Sequence, residues 1–532
     1  MWKMPATSAF VLAGYSRSGP NEATMAPHTL PGVNGAIVLR TKVDPQPTLW
    51  EALLPPEFLA LPPGLEQIDR LLDDRVFFDP FVPYFDPVIG RPSIPMETYL
   101  RMMFLRFRYR LGFETLCAEV ADSLAWRRFC RIAITDAVPH PSTLMKITTR
   151  CGEGVVEQLN EALLAKAKAA KVVRLDKVRA DTTVVPANVA YPTDSGLLAK
   201  GVAKLTKTVA SLQALGLARR THFRDRTRSV RRRAHQVAAW LRRRSGDAKD
   251  EVLALTGELA TIAEASIKDA QVVATNARRA LRRAGQGATG RASALVAELE
   301  RTISVLERVV DQTRTRLGGE VPDGSRRIVS LHDTDARPIA KGRLGRPVEF
   351  GFKAQVADNA DGIVLDHLVE MGNPPDAPML GAAIGRIKKR FSKVPRAVTA
   401  DRGYGEAKVE SELHELGVQH VAIPRKGRPG APRQAVESSR RFRKLVKWRT
   451  GSEGRISHLK SSWGWERTML DGIDGARTWC GWGILAHNAT KIAVLIDERE
   501  REHGPTPTSP RRPRTPTGPP GRPPPTPHAV PA

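Results

Sequence analysis

Apolar positions change their spacing several times along the chain, and each change predicts a different element. After Pro95, residues Tyr99, Met102, Met103, Leu105, Leu111, Leu116, Val120 and Leu124 recur at helical intervals. Ser142 or Thr143, following Pro139-His140-Pro141, is placed to cap a further helix. The stretch Val172 to Val185 is short and rich in β-branched residues, which predicts a strand. Leu198, Val202, Leu205, Val209 and Leu212 then step by four and three, and Val296, Leu299, Ile303, Leu306, Val310, Thr313 and Leu317 do the same. With Gly285-Gln286-Gly287 as a break, these seams predict antiparallel helices forming a coiled-coil-like arm. Strand patterning returns at Arg327 to His332, Val348 to Ala357 and Gly362 to Val369. A helix over Met379 to Phe391, a strand over Ala397 to Ala400, a helix over Glu406 to Leu416 and a strand over Gln419 to Ile423 follow. The basic loop Pro424 to Arg443 leads into a helix beginning near Gly451.

The order of these elements predicts an α/β core interrupted by a helical insertion. Residues 1–43 are expected to be a disordered extension, and 44–165 a helical N-terminal domain. Residues 170–194 and 320–498 form the core, and 195–318 the arm inserted in it. The tail over 503–532 is rich in proline and arginine, lacks apolar periodicity and is expected to be disordered. The first 24 residues lack the plan of a signal peptide, and Met25 is an alternative start.

Composition narrows the partners. The 532-residue chain carries a formal charge of +27, a field that favours a polyanion such as nucleic acid. No apolar run approaches the roughly 18 residues a membrane span needs. The four cysteines are far apart with no C-x-x-C pair, which argues against a zinc site and a disulfide framework and fits a reducing cytoplasm. Arginines are densest on the arm, where Arg231, Arg232 and Arg233 sit in a cluster that has Asp225 as its main local acid. Contact with DNA phosphates and a plain solvated face both suit that cluster. Arg101, Arg106, Arg108, Arg110, Arg127 and Arg128 raise the same alternatives for the N-terminal helices: a grip on duplex DNA, or a basic exterior.

Three acids stand out against these backgrounds. Asp181 lies inside a strand, where an acid either faces solvent or is held for a purpose, and Asp176 and Asp194 are its nearby rivals. Asp401 ends the strand over Ala397 to Ala400 and is followed by Arg402-Gly403-Tyr404-Gly405; functional carboxylates of α/β sheets commonly project from strand carboxyl ends. Glu453 follows Arg449 by four residues and precedes Lys460 by seven, so Glu453 and Lys460 share a helix face.

Asp181 in a strand, Asp401 in A-D-R-G-Y, and Arg449, Glu453 and Lys460 in R-x3-E-x6-K resemble the DDE transposases of bacterial insertion sequences. G-R-P-S-I-P-M-E at 90–97, E-F-G-F-K at 349–353 and G-A-R-T-W-C-G-W-G-I-L-A-H-N-A at 475–489 also look like segments of that family. The resemblance implies a ribonuclease H-like mixed sheet and a helical N-terminal DNA-binding domain. It further implies binding of the element ends, followed by metal-dependent strand cleavage and strand transfer on double-stranded DNA. Asp181, Asp401 and Glu453 would be the catalytic residues and would hold two Mg²⁺ or Mn²⁺ ions, hard cations that suit carboxylate oxygens. Arg449 and Lys460 would hold DNA phosphates. Trp463 and Trp465 are candidates for stacking on an unpaired base or for the core. A homodimer in the cytoplasm, associated with the nucleoid, would serve paired ends, and the heptads offer it a surface. One departure is Val446, where the family often has tyrosine; another is the long separation of Asp181 from Asp401, which the arm accounts for. A transposase that binds without cutting, and a metal-dependent nuclease that cuts without joining, are the alternatives.

Overall fold

A computed structural model describes residues 37–43, 53–55, 57, 60–243, 247–284, 290–343 and 346–503. The expected disorder of 1–36 and of the tail from 504 falls outside them. Ile37–Val38 (β1) already pairs in parallel with Arg91–Pro92 (β2), so structure begins inside the segment expected to be disordered.

The N-terminal helices are Pro63–Leu72 (α1), Met96–Tyr109 (α2), Phe113–Asp122 (α3), Leu124–Phe129 (α4) and Pro141–Ala169 (α5). Helix α5 is capped by His140, whose ring nitrogen accepts from the Ser142 backbone N–H at 3.2 Å, so neither Ser142 nor Thr143 is the cap. The apolar stripe of α2 and α3 is buried in one continuous core with the sheet, and Tyr99 sits edge-on to both Phe81 and Trp482. Two of the arginines weighed for DNA are buried here instead. Arg101 is 0% exposed, ion-paired to Asp69 at 3.1 Å and Glu97 at 3.2 Å. Arg106 lies over the rings of Phe113 and Trp479, and burial lowers its pKa to about 10. The alternation of Arg with large apolar residues reads as surface charge, but here the long stems pack inward and carry their heads to internal partners.

The sheet contains Lys177–Pro186 (β3), Arg337–Arg343 (β4), Arg346–Asn359 (β5), Val364–Met371 (β6), Ala397–Thr399 (β7) and His420–Ala422 (β8). Strand β5 lies antiparallel between β3 and β6, while β7 runs parallel to β3 and β8 parallel to β7. The spatial order is therefore β6-β5-β3-β7-β8, with β4 paired to the first part of β5. Taken in chain order, the five principal strands lie 3-2-1-4-5, a mixed ribonuclease H-like sheet with β3 at its centre. Ala377–Phe391 (α10) connects β6 to β7, and Ala407–Glu415 (α11) connects β7 to β8. Gly472–His503 (α15) packs against α5, where a side chain on Gly481 would collide with Val156. Asn488 on α15 binds both the N–H and the C=O of Val364, at 2.9 and 2.8 Å, and so satisfies that end of the edge strand β6.

Between β3 and β4 the chain leaves the sheet as Asp194–Ala214 (α6), Thr227–Trp240 (α7), Ala248–Ala284 (α8) and Gly290–Leu317 (α9). These helices enclose a second, separate core that includes Leu198, Val202, Leu205, Leu299 and Leu306. Gly201 lets α6 approach α9 so closely that a methyl group there would strike Leu306. The heptad seams are thus consumed within the chain and are not a dimer surface. Asp194 is buried at the start of α6, ion-paired to Arg316 at 2.9 Å, which makes it an anchor of the arm rather than a rival site acid.

Two expected elements differ. The segment over 327–330 is not a strand: Gln312 pins Ile328 by accepting its N–H at 2.9 Å and donating to its C=O at 3.2 Å, doing a neighbouring strand's work with one side chain. The expected basic loop over 424–443 contains Ala431–Ser438 (α12) and the start of Arg440–Arg449 (α13). Ser439 separates them and caps α13 by accepting from Phe442 N–H at 3.3 Å. Gly451–Ser462 (α14) follows directly.

Candidate active site

Asp181 projects from the central strand with its side chain 13% exposed. One carboxylate oxygen accepts from the Thr182 N–H at 2.8 Å, the other from the Ser452 hydroxyl at 2.7 Å, and Arg449 Nη1 stands 3.5 Å from the latter oxygen. Burial holds this carboxyl above the usual carboxylate range; the charge of Asp401 adds to the rise, against the pull of Ser452, Thr182 and Arg449.

Asp401 stands just beyond β7, the strand next to β3. It accepts from Gly403 N–H at 2.8 Å, closing a short turn over Arg402–Tyr404. A Cβ on Gly403 would come within 2.9 Å of Asp401 Oδ1 and 3.2 Å of Asp376 Oδ2, so the glycine admits both carboxylates. Beneath them Tyr404 is fully buried, with its hydroxyl accepting from Gln355 Nε2 at 3.0 Å. Burial pushes its hydroxyl well above the ordinary phenol range, and the charges of Asp376, Asp181 and Asp401 push the same way. Tyr404 is a neutral floor to the site.

Asp376, at the start of α10, was not singled out from sequence. It accepts from Thr182 Oγ1 at 3.0 Å and pairs with Lys353 at 2.6 Å, while Lys353 also donates to Pro374 C=O at 2.6 Å. The available signals were an Asp opening a helix after Asn373-Pro374-Pro375 and a lysine between the apolar Phe352 and Ala354 of a strand. Ser452 carried no signal at all.

The helix bearing Glu453 is fixed by a buried network. Arg179, two residues before Asp181 on the same face of β3, grips its cross-strand partner Asp358 with two bonds of 2.9 Å. Its third nitrogen donates to Trp448 C=O at 3.0 Å, and the guanidinium lies 4.8 Å from the Trp448 ring centre. Arg455 on α14 binds the same Asp358 at 3.2 Å. Gly451 leaves room for the arrangement, since a Cβ there would lie 2.5 Å from Arg179 Nη1.

The structure therefore brings Asp181, Asp401 and Arg449 together. Glu453 lies in the first turn of α14, one residue after Ser452, and is exposed; Lys460 is half-buried on the same helix. Among the described residues, no three His, Cys, Asp or Glu side chains are gathered as a metal cluster. Trp463 and Trp465 are both buried, and Trp465 N–H donates to Cys480 C=O at 3.1 Å, so they belong to the core and not to a base-stacking surface. On the arm, Arg231 and Arg232 are exposed, whereas Arg233 is paired with Glu258.

Adjacent strands of a ribonuclease H-like sheet here present apposed carboxylates, Asp181 and Asp401. Residues 57–150 match the family described as a transposase domain (DUF772), and residues 307–489 match the transposase DDE domain. The chain belongs to the DDE transposases of insertion sequences. The second match contains Asp401, Arg449, Glu453 and Lys460, and Asp181 lies between the two matches. A relative, the uncharacterized protein ORF8 in the nfe locus of Rhizobium meliloti, is 28% identical over 136 residues, 25% of this chain. The match spans 65% of that relative's length. No solved structure matches the chain. Among the described residues, no helix is long and apolar enough to cross a membrane.

The family works with divalent metal ions, and the donors here fit them. The apposed side chains offer only hard oxygens; burial raises the Asp181 carboxyl, the charge of Asp401 adds to the rise, and a bound cation offsets both.

Proposed function

We propose that this protein binds the ends of an insertion sequence and cuts and rejoins DNA there, with Asp181, Asp401 and Glu453 as its catalytic carboxylates. The apposition of Asp181 and Asp401 on neighbouring strands carries this reading. The three acids would hold two Mg²⁺ or Mn²⁺ ions, which when bound activate the attacking oxygen and stabilise the leaving oxygen of an in-line displacement. The chain's own part is positional. Ser452 and Thr182 fix the Asp181 carboxylate from opposite sides. Lys353 and Thr182 tether Asp376, which sets the floor beside them. Arg449 reaches any phosphate seated at Asp181, and Lys460, farther along α14, adds a point charge for the same strand. Two ends must be cut together, so a homodimer on double-stranded DNA is the proposed working form, in the cytoplasm with the nucleoid.

The exposure of Glu453 favours a second reading, a protein that binds ends without cutting. Cleavage of a labelled duplex copied from the DNA bordering the gene, in Mg²⁺, separates the two. Asp181→Asn, Asp401→Asn and Glu453→Gln are each expected to reduce cutting to background while gel shifts stay near wild type. Near-wild-type cutting by any one variant overturns that residue's assignment. Wild-type protein that binds and never cuts establishes the second reading, and cutting without joining to a supplied target would make the protein a nuclease.

A further inference from the structure

Helix α13 carries more charge than the site uses. Arg440, Arg441, Arg443, Lys444 and Lys447 are all exposed, while Phe442 is buried and Leu445, Val446 and Arg449 are half-buried. At the helical repeat, the five exposed cations fall on one side, and Phe442, Leu445, Val446 and Arg449 on the other. The helix contains no acid, and the nearby Glu437 is held by Arg433 and by the Arg425 N–H. Among the described residues, none of these five cations forms an ion pair, whereas Arg226, Arg278 and Arg314 on the arm face Asp269, Glu300 and Glu264. Like charges three and four apart on a helix repel, and a polyanion removes that cost.

The position of the row selects the anion. The inward face of α13 ends at Arg449, 3.5 Å from Asp181, and Trp448 is clamped by Arg179 and by Lys177, whose ammonium lies 4.5 Å from its ring centre. The row ends at Lys447, two residues before Arg449, and extends back along the opposite side of a helix about 15 Å long. The outward face shows five cations, and the one large ring that the repeat places among them, Trp448, is half-buried and covered by Arg179 and Lys177. A protein partner would need apolar anchors there, whereas a phosphate backbone needs charge alone and accepts guanidinium and ammonium groups alike.

We infer that the outward face of α13 is the track for the phosphate backbone of the DNA strand being cut, an inference that rests on the strand-cleaving reading of the Asp181 and Asp401 site.

The test uses the full chain and a labelled duplex copied from the DNA bordering the gene. The variant joins Arg440→Gln, Arg443→Gln, Lys444→Gln and Lys447→Gln, exposed positions at which glutamine keeps helix propensity. The slope of log affinity against log salt is expected to flatten by about 0.9 for each phosphate contact removed, with the melting temperature of the free protein held or slightly raised as like charges are removed. Hydroxyl-radical footprints should lose protection beside the cleavage point and keep it elsewhere. A companion variant with Arg440→Lys and Arg443→Lys should retain the wild-type slope, because point charges suffice on phosphates. An unchanged slope, or protection lost only at a distance from the cut, overturns the α13 track while leaving the cleaving site in place. Wild-type protein that does not cut the duplex overturns the underlying reading and this one with it.

Discussion

The Ser452 hydroxyl donates to Asp181 Oδ2 at 2.7 Å, joining the central strand to the first turn of α14 across 271 residues of chain. A hydrogen bond to a charged group contributes about 1.5–3 kcal/mol, and here it sets the direction of a carboxylate that has few other restraints. Ser452→Ala is expected to slow strand cleavage by roughly tenfold or more, the equivalent of about 1.4 kcal/mol in the barrier. DNA affinity in gel shifts should not move. Unaltered single-turnover cleavage would show that Asp181 needs no help from this helix.

A carboxyl raised by burial and by a neighbouring acid costs stability when ionised. Its pKa is higher folded than unfolded, so the cost is full above the folded value, fades as pH falls through it and is gone below the unfolded one. Asp181→Asn removes the charge. The variant is expected to melt above wild type at pH 7 in chelator, with the gap closing below about pH 4. Adding Mn²⁺ should raise the wild-type melting temperature, by about 2.7 kcal/mol of stabilisation at a hundredfold excess over its dissociation constant, and the variant's by less. Differential scanning calorimetry at both pH values checks this; a variant that melts below wild type at pH 7 contradicts it.

Asp358 is 2% exposed and is shared by Arg179 and Arg455. Removing it strands two cations inside the protein. Asp358→Ala should cost about 3–5 kcal/mol, the loss seen when one partner leaves a buried pair, and urea unfolding would measure it. Because the same guanidinium holds Trp448, α13 and α14 should loosen as well, visible as faster hydrogen exchange there.

On the arm, the three neighbouring arginines should separate in their effects. Arg231→Glu with Arg232→Glu is expected to flatten the salt dependence of DNA binding, since both side chains are exposed. Arg233→Glu breaks the pair with Glu258, which is half exposed, so the loss is small, up to about 1 kcal/mol. Binding across a salt series and thermal melts distinguish these outcomes. An unchanged slope for the first pair would leave them as solvated charge.

Much of the fold was readable because period and burial agree. The strands at Asp181 and Asp401 and both seams of the arm follow the apolar pattern, and Leu198, Val202, Leu205 and Leu306 are buried as the heptads require. What could not be read depends on contacts remote in sequence. Nothing near Arg226 or Arg233 announces Asp269 or Glu258, which arrive from the next helix. Helices α12 and α13 were hidden because prolines, glycines and cations outweigh the few apolar residues that seat them, chiefly Phe442. Ile328 has strand-like neighbours yet owes its place to Gln312. The same limit applied at the site: Asp181 and Asp401 stood out as acids among apolar residues, but Asp376, Lys353 and Ser452 acquire meaning only when the chain has closed.

The insertion of the arm between β3 and β4 also constrains biogenesis. The strand bearing Asp181 leaves the ribosome well before β5, with which it pairs over most of its length, so it must wait, edges bare, while the four arm helices are made. Those helices have their own apolar centre and can condense during the delay. By condensing they draw the two ends of the interruption together and shorten the excursion that the nascent sheet has to bridge.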